Sequence, residues 1–362
     1  MKTIFFGTPE TAVPFLKLLA SKTEVLSVVS QPDKPAGRGL ETAPTPVKAA
    51  ARELGLKVLQ PVKPSEIAAE LKALGADFGV VVAYGRILKT DVLTSTRLGL
   101  LNAHFSLLPK YRGAAPVQWS LVKGETKTGV SLFWLDEGMD TGPIQAVLET
   151  DILPDEDAPA LLSRLTGLGV ELLGSVLADL DAGKVVRRPQ EGVPSAAPLI
   201  KREDAALDLG RPAEELHNLV RGFRSWPRAT LELASGKVLV LKTALAEPSD
   251  PPSTGTPGRV LSVGRNRGIL VECGSRSRLW FLEVQPEGKK PLNASEFANG
   301  LRLAAGGLLP LSGKKICPRQ APKSARSKSP PSRRLSLRSP ILRSTGVSRA
   351  SSTPAARRPS PI

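Results

Sequence analysis

The chain contains two histidines, and the first of them, His104, stands where its imidazole could act on a substrate. It follows an apolar run, two residues after Asn102, so a strand at this position would point both side chains to the same side. An amide donor beside an imidazole is able to polarise a carbonyl group. The same two groups could instead only hydrogen-bond a nearby loop, and the pair alone does not decide between these roles. His217 lies in a segment with helical spacing and is interpreted as a packing or surface histidine.

Three acids follow in a loop between two predicted strands: Asp136, Glu137 and Asp140. A carboxylate beside His104 would orient the imidazole or favour its charged form. The alternative is a solvated turn, which we expect for at least one of the three acids.

Short apolar runs that alternate with amphipathic segments must position these residues. The alternation predicts a Rossmann-like α/β domain with a mostly parallel sheet and helices on both sides. Ligands of such sheets bind at the carboxyl ends of the strands, where Asn102 and His104 are expected. The helices of this domain are predicted at 10–20, 46–55, 64–75 and 158–183, and its strands at Lys2–Phe6, Glu24–Ser30, Lys57–Gln60, Asp77–Ala83, Leu98–Asn102, Gly129–Leu135 and Pro143–Leu148.

Several common motifs are missing from the sequence. The first predicted strand is followed by Gly7-Thr8-Pro9, with a single glycine where a dinucleotide-binding turn has three. Neither a P-loop nor a Gly-x-Ser-x-Gly turn occurs. Cys273 and Cys317 have no zinc-ligand spacing, and no uninterrupted apolar run approaches the ~20 residues of a membrane span. We therefore expect a cytoplasmic protein without a metal, a dinucleotide or a membrane partner.

Length and turn signals predict two domains. A chain of 362 residues with 41% apolar residues exceeds one ordinary domain. The first domain is assigned to residues 1–187, a linker to 188–205 and the second domain to 206–305. In the second domain a helix at 211–222 precedes short strands whose spacing suggests a small β-barrel. These strands are predicted at Ala229–Leu233, Val238–Leu241, Gly258–Val263, Gly268–Glu272 and Leu279–Val284.

The positive charge of the chain is concentrated at its end. Of the net charge of +16, residues 313–362 carry +13, with thirteen basic and no acidic side chains, and the other 312 residues carry only +3. Such a segment has little to fold around, so we expect a disordered basic tail over 306–362. Two origins fit it: an arm that binds RNA phosphates, or peptide read from a GC-rich gene in a shifted frame.

Five separated motifs resemble those of one enzyme family. Asn102, His104 and the segment Ser106–Pro109, with Asp140 in the segment 138–142, are similar to the signature of the 10-formyltetrahydrofolate-dependent formyltransferases. Four further segments resemble the group within that family that acts on methionyl-tRNA: Phe6–Pro9, Gln31–Gly39, Val80–Gly85 and Arg112–Pro116. The likeness covers roughly residues 1–300.

The resemblance implies a set of functional residues. Asn102, His104 and Asp140 would form the catalytic trio, and Arg38 would contact the acceptor end of the tRNA. The second domain would be an OB-like barrel that holds the tRNA body, in a protein that we expect to be monomeric. The residues that would line the folate site are Val82, Ala83, Tyr84, Gly85, Ser106, Leu107, Leu108 and Pro109.

The implied reaction is transfer of the formyl group of 10-formyltetrahydrofolate to the α-amino group of initiator methionyl-tRNA. An α-amino group has a pKa of about 8, so no strong base is needed. Asn102 and His104 would donate hydrogen bonds to the formyl oxygen, with His104 protonated in the transition state. Asp140 would raise the pKa of His104 and relay the proton that leaves the amine.

Two other functions stay open at this point. A formyltransferase or folate hydrolase with the same trio could act on a small amine, such as glycinamide ribonucleotide or an amino sugar. Alternatively, the chain could be a non-catalytic RNA-binding module that uses its second domain and basic tail.

Overall fold

The computed structural model describes residues 1–36 and 41–312. Arg38 and the predicted tail from residue 313 onward lie outside the described residues. The helices of the described part are α1 (Val13–Lys22), α2 (Pro46–Glu53), α3 (Ala68–Ala73), α4 (Thr90–Leu93), α5 (Pro116–Val122), α6 (Ala158–Asp181), α7 (Ala213–Gly222) and α8 (Ala294–Gly300). The strands are β1 (Lys2–Gly7), β2 (Glu24–Val29), β3 (Lys34–Ala36), β4 (Glu41–Ala43), β5 (Val58–Leu59), β6 (Phe78–Val82), β7 (Leu100–His104), β8 (Lys127–Trp134), β9 (Ile144–Asp151), β10 (Ala229–Leu233), β11 (Gly236–Leu245), β12 (Val260–Gly264), β13 (Gly268–Glu272), β14 (Arg278–Pro286) and β15 (Leu292–Asn293).

The first domain is built on a seven-stranded sheet with the order β5-β2-β1-β6-β7-β8-β9. The strands from β5 to β7 pair in parallel, whereas β8 and β9 join the edge antiparallel. The predicted Rossmann-like domain with a mostly parallel sheet is thus confirmed. Chain order reverses at β1, which lies between β2 and β6, so the carboxyl ends of β1 and its neighbours form the crevice in which such sheets bind ligands.

Successive side chains along each strand point to opposite faces of this sheet. On β1, Phe5 packs with α1, α2 and α6, whereas Ile4 and Phe6 pack with α3 and α4 on the other face. All three side chains are fully buried. Helices therefore cover both faces, which explains why β1 and β6 are continuously apolar.

The helix α6 is long and apolar enough to cross a membrane by length and composition alone, a property that a search for uninterrupted apolar runs misses. Asp157 caps its N-terminus, and the carboxylate accepts a hydrogen bond from the amide of Ala160 (3.1 Å). One side of it, including Leu161, Leu165 and Leu173, is buried in the core of the first domain. The core helix of a soluble protein passes the same test, so this single helix is weak evidence for a span.

The second domain contains an antiparallel sheet with the order β10-β11-β14-β13-β12, and β15 pairs with β14. The helix α7 packs against β11 and β14 through a core that includes Leu216, Leu219 and Phe223. Within the described residues, β10 and β12 do not pair with each other, so the strands do not form the closed barrel that their spacing suggested. Spacing predicts the strands but not closure, because closure depends on pairing between the first and last strands of the sheet.

Residues 306–312 lie between the two edges of this sheet. Three main-chain hydrogen bonds of 2.8–2.9 Å join this closing segment to Gly258 and Val260 at β12, and bonds of 2.7 and 3.0 Å join it to Ala234 and Glu232 at β10. Leu309 is buried in the same core, with 5% of its surface exposed. The closing segment is therefore part of the second domain, and the tail that we expected from residue 306 cannot begin before 313.

Candidate active site

Asn102 and His104 both lie on β7, which extends to His104 rather than ending at Asn102 as expected. Leu101, before Asn102, and Ala103, between Asn102 and His104, pack into the core beneath α1 and α6. Asn102 and His104 consequently point to the other face, at the carboxyl end of the strand. Asn102 is half-buried and His104 buried. Among the described residues, the Asn102 amide makes no hydrogen bond to another side chain or to the main chain, so both its donors are free for a ligand.

Two groups hold the imidazole of His104. Its Nε2 lies 2.9 Å from the carbonyl oxygen of Tyr111, and because a carbonyl only accepts, Nε2 carries a proton and donates. Its Nδ1 faces Oδ2 of Asp140 at 3.7 Å. The ring also meets Phe133 edge to face, with centroids 6.3 Å apart. Only Nδ1 therefore remains to exchange a proton with a substrate.

Burial lowers the pKa of His104 below its usual 6.5, because the desolvated ring resists charging. The carboxylate of Asp140 and the carbonyl of Tyr111 act in the opposite direction, and the first of these effects is the one expected from the sequence. Desolvation is the larger influence. His104 is therefore neutral near pH 7, with an unprotonated Nδ1 that is able to accept a proton.

The structure separates the three acids of the 136–140 loop. Only Asp140 reaches His104, and its Oδ2 also accepts a hydrogen bond from the amide of Gly113 (2.7 Å). Asp136 accepts from the amide of Gly138 (3.1 Å) and the hydroxyl of Thr141 (2.7 Å), which makes it the turn residue that we expected among the three.

Glu137 accepts a hydrogen bond from the hydroxyl of Thr90 at 2.6 Å. This contact joins the 136–140 loop to the start of α4, the helix that comes after the loop following β6. Glu137 thus connects the 136–140 loop to α4 and does not reach His104.

The four residues expected to line the folate site after β6 divide into two pairs. Val82 and Tyr84 are buried in the core, with 0% and 2% of their surfaces exposed. Ala83 and Gly85 are exposed, and both have positive φ angles, 45° and 77°. The backbone thus turns outward at these two positions. The carbonyl of Tyr84 between them accepts hydrogen bonds from Thr8 (3.0 Å) and Gln31 (2.7 Å), which fixes the loop to β1 and β2.

The second expected folate-lining segment, residues 106–109, is mostly enclosed. Ser106, Leu108 and Pro109 are buried and Leu107 is partly exposed. The hydroxyl of Ser106 donates to the carbonyl of Lys110 (2.6 Å), so it is already used within the protein. Ser131 on β8 accepts from the amide of Leu108 (3.1 Å) and donates to the carbonyl of Ser106 (2.7 Å).

Sequence reasoning missed most of the groups that hold the trio in place. The carbonyl of Tyr111 and the amide of Gly113 are main-chain groups, which residue type does not reveal. Gln190 and Ser195 lie in the segment that we interpreted only as a linker, and they bond to Asp140 of the trio and to Tyr111, respectively. A polar glutamine within a Pro-rich linker gives no local signal of such a contact.

Arg38 belongs to the four residues between β3 and β4, outside the described part of the chain. These two strands form an antiparallel pair that the sequence did not predict. Just before them, Asp33 forms an ion pair with Lys48 on α2 and accepts from Gln60 (2.7 Å). The Lys48 ammonium lowers the pKa of Asp33. The base of the loop that carries Arg38 is therefore anchored to the first domain.

Two family models match the chain. Residues 1–177 match the model described as formyl transferase, and residues 199–302 match the C-terminal domain of formyl transferase. Among solved structures, the N-formyltransferase from Helicobacter canadensis in complex with folinic acid and dTDP-3-aminofucose aligns with a TM-score of 0.61 at 18% identity, over 78% of this chain and 98% of that one. That likeness shows a shared fold.

Much higher sequence identity links the chain to curated proteins. A methionyl-tRNA formyltransferase of Elusimicrobium minutum is 46% identical over 85% of this chain and 99% of its own length. A methionyl-tRNA formyltransferase of Thermus thermophilus is 45% identical over 84% of this chain and 98% of its own length. The two matched family models cover the first domain and then the second, in the order in which the domains occur in the fold. The chain belongs to the methionyl-tRNA formyltransferase family.

Proposed function

We propose that this protein transfers the formyl group of 10-formyltetrahydrofolate to the α-amino group of initiator methionyl-tRNA, in the cytoplasm and as a monomer. The observation that carries the proposal is the identity of 42–46% to methionyl-tRNA formyltransferases over nearly their whole length. The meeting of Asn102, His104 and Asp140 at one end of the sheet supports it.

The described residues fit a folate co-substrate at the carboxyl ends of β6 and β7. Ala83 and Gly85 are exposed, and they follow β6, on which Val81 pairs with Asn102 of the neighbouring strand β7. We assign the folate contacts of the 82–85 loop to Ala83 and Gly85 and those of the 106–109 segment to Leu107, the partly exposed member. The buried Val82, Tyr84, Ser106, Leu108 and Pro109 would support this surface from below. When bound, 10-formyltetrahydrofolate supplies the formyl carbon that the amine attacks.

The trio provides a hydrogen-bond donor and a proton acceptor. Asn102 donates to the formyl oxygen, where negative charge develops during attack, and such preorganised donors usually give the largest electrostatic contribution to catalysis. Neutral His104 accepts the proton of the attacking amine at Nδ1, since Nε2 is already bonded to Tyr111. Once protonated, Nδ1 carries a hydrogen that it can donate to the oxygen, as expected from the sequence. The bond between the formyl carbon and N10 then breaks as the new amide forms, and the proton taken from the amine leaves with tetrahydrofolate on N10. The carboxylate of Asp140, 3.7 Å away, stabilises the charged ring.

The second domain would hold the tRNA body, and Arg38 the acceptor end. The anchored base of the segment that carries Arg38 supports the second assignment, because the described strands β3 and β4 follow the carboxyl end of β2 and Asp33 ties them to α2. An OB-like arrangement of the second domain also stays a proposal, supported by the closing segment 306–312 that joins both edges of its sheet.

The proposal is tested by formylation with 10-formyltetrahydrofolate and three acceptors: initiator methionyl-tRNA, elongator methionyl-tRNA, and a small amine such as an amino sugar nucleotide. We expect a high kcat/KM for the initiator alone. Preference for the small amine would overturn the choice of acceptor. Absence of formyl transfer to all three, with RNA binding retained, would indicate the non-catalytic alternative.

Replacing Arg38 by alanine is expected to raise the KM for methionyl-tRNA and to leave the Kd for the folate unchanged, because the loss removes a phosphate contact only. One lost phosphate contact also lowers the slope of log affinity against log salt by roughly one. Tritium-labelled folate binding and formylation at several salt concentrations measure both quantities. A parallel fall in folate affinity would assign the loop to the folate site instead.

The pH dependence of kcat/KM follows from the charge state of His104. Since burial lowers the pKa of His104 below 6.5, the neutral form needed to accept a proton is already populated at pH 6.5, so the rise due to this group lies at lower pH. Asp140→Asn removes a charge that raises this pKa, and the residual activity should titrate at still lower pH. A rise centred above 6.5 that disappears in His104→Ala would contradict the neutral assignment.

A further inference from the structure

Gln190, in the segment that connects the two domains, uses its whole carboxamide on the loop of the catalytic acid. Its Nε2 donates to the carbonyl of Asp140 (2.9 Å) and to the carbonyl of Gly142 (2.8 Å). Its Oε1 accepts from Nε (3.1 Å) and Nη2 (2.6 Å) of Arg112. Because carbonyls only accept and a guanidinium only donates, these partners permit one orientation of the amide. The 136–142 loop is thus held by the side chain of a residue that lies 50 residues after Asp140 in the sequence.

Asp140 needs such support because its backbone is in an unfavourable conformation. Its φ angle is 54°, in the left-handed region, which aspartate adopts more readily than most non-glycine residues but which is still less favourable than the ordinary helical and extended regions. Without the two hydrogen bonds from Gln190, we expect the backbone of Asp140 to relax toward an ordinary conformation, which turns its carbonyl. That rotation would carry the carboxylate away from His104, from which it is now 3.7 Å distant.

The other anchor of Asp140 leads back to the same segment. Its carboxylate accepts from the amide of Gly113, and the neighbouring Arg112 pairs through its main chain with Ser195 (2.8 Å) and Ala197 (2.7 Å). Gly113 has a φ of 123°, and a β-carbon there would lie 2.6 Å from the carbonyl oxygen of Ala197. The connecting segment therefore holds Asp140 at two points: Gln190 bonds to its main chain, and the segment around Ser195 and Ala197 holds the residues that bond to its carboxylate.

We propose that Gln190 is a positioning residue for formyl transfer, which holds Asp140 so that its carboxylate faces Nδ1 of His104. The inference rests on the proposed function, since its main readout is the formylation rate. It assigns to the connecting segment a role in the chemistry, in addition to joining the two domains.

Gln190→Glu separates this role from a merely structural one. A glutamate keeps, and as an ion pair strengthens, the contact with Arg112, but it has no N–H to donate to the two carbonyls. We expect kcat to fall between roughly tenfold and 10²-fold, as misplaced catalytic groups typically cause. The KM values for both substrates should stay within about twofold, because neither substrate contact is removed. The exposed neighbour Glu191, replaced by glutamine, is the matched control and should keep the parental kcat.

Nitrogen-15 NMR of histidine-labelled full-length protein gives a second readout. With only His104 and His217 in the chain, the side-chain signals are readily assigned. The His104 signal should titrate at lower pH in Gln190→Leu, which adds no charge, because the carboxylate of Asp140 has moved away, while the His217 signal should stay unchanged and so report an intact fold. If Gln190→Glu keeps its kcat, or Gln190→Leu keeps its His104 titration, while the parent protein is active, the inference is wrong. If the parent protein itself transfers no formyl group, the proposed function fails instead.

Discussion

Replacing Asn102 by alanine is expected to lower kcat by roughly 10²–10³-fold, the usual cost of removing one preorganised oxyanion donor. Replacing His104 by alanine is expected to lower kcat by roughly 10²–10⁴-fold, the usual contribution of a positioned proton acceptor. Asn102→Ala removes the free amide that is proposed to donate to the formyl oxygen. His104→Ala removes Nδ1, the one ring nitrogen not bonded within the protein. The KM for methionyl-tRNA should change little, because neither side chain is assigned to tRNA binding. Single-turnover formylation with saturating folate measures the chemical step directly.

His217→Asn is the control for the histidine variant. His217 is also buried, with Nδ1 3.0 Å from the hydroxyl of Thr243 and Nε2 3.7 Å from Asp155, and it contacts none of the trio. We expect this variant to lose stability and to keep its kcat. Nearly full kcat in Asn102→Ala or His104→Ala, or an equal loss in His217→Asn, would contradict the assigned roles.

Ending the chain at Ala305 is expected to destabilise the second domain strongly, whereas ending it at Ser312 should leave its stability unchanged. The shorter chain loses five main-chain hydrogen bonds between the closing segment and the sheet edges, together with the buried Leu309. Truncating a buried leucine to alanine alone costs ~2–5 kcal/mol in free energy of unfolding. Two edges of the sheet would also be uncovered, which favours aggregation.

Urea denaturation followed by tryptophan fluorescence compares the two truncated chains with Leu309→Ala in the full chain. Leu309→Ala should lower the free energy of unfolding by ~2–5 kcal/mol. The chain that ends at Ser312 should also keep its kcat, since none of the trio lies beyond Asp140. Equal stability of the two truncated chains would show that the closing segment adds nothing to the fold.

The sequence by itself determined the architecture of the first domain and the location of its candidate site. Strands such as β1, β2 and β6 were predicted within one or two residues, because each is a short apolar run covered on both faces and bounded by turn residues. The period of two then placed Asn102 and His104 on one side of β7, since that period is a local property of any strand. The family motifs supplied the expected reaction, which local patterns could not.

Helix and strand patterns were less informative where contacts with distant residues decide the structure. The short helices α4, α5 and α8 and the strands β3 and β4 were not predicted, since segments of three to seven residues hold too few apolar positions for a period. The motif that predicts a folate-lining role for Val82 and Tyr84 did not reveal that their side chains are buried in the core, because burial is set by what packs against a residue and not by its neighbours in sequence.

The tertiary structure alone decided the properties on which the chemistry depends. It selected Asp140 over Asp136 and Glu137, because only Asp140 is turned toward His104, by a left-handed backbone and by the amide of Gly113. It made His104 neutral, since the desolvation of a buried ring outweighs the attraction of one carboxylate. It brought Gln190 to the loop that contains Asp140, and residues 306–312 to both edges of the sheet in the second domain. Each of these features depends on burial or on hydrogen bonds between segments far apart in the chain, which residue type and spacing do not encode.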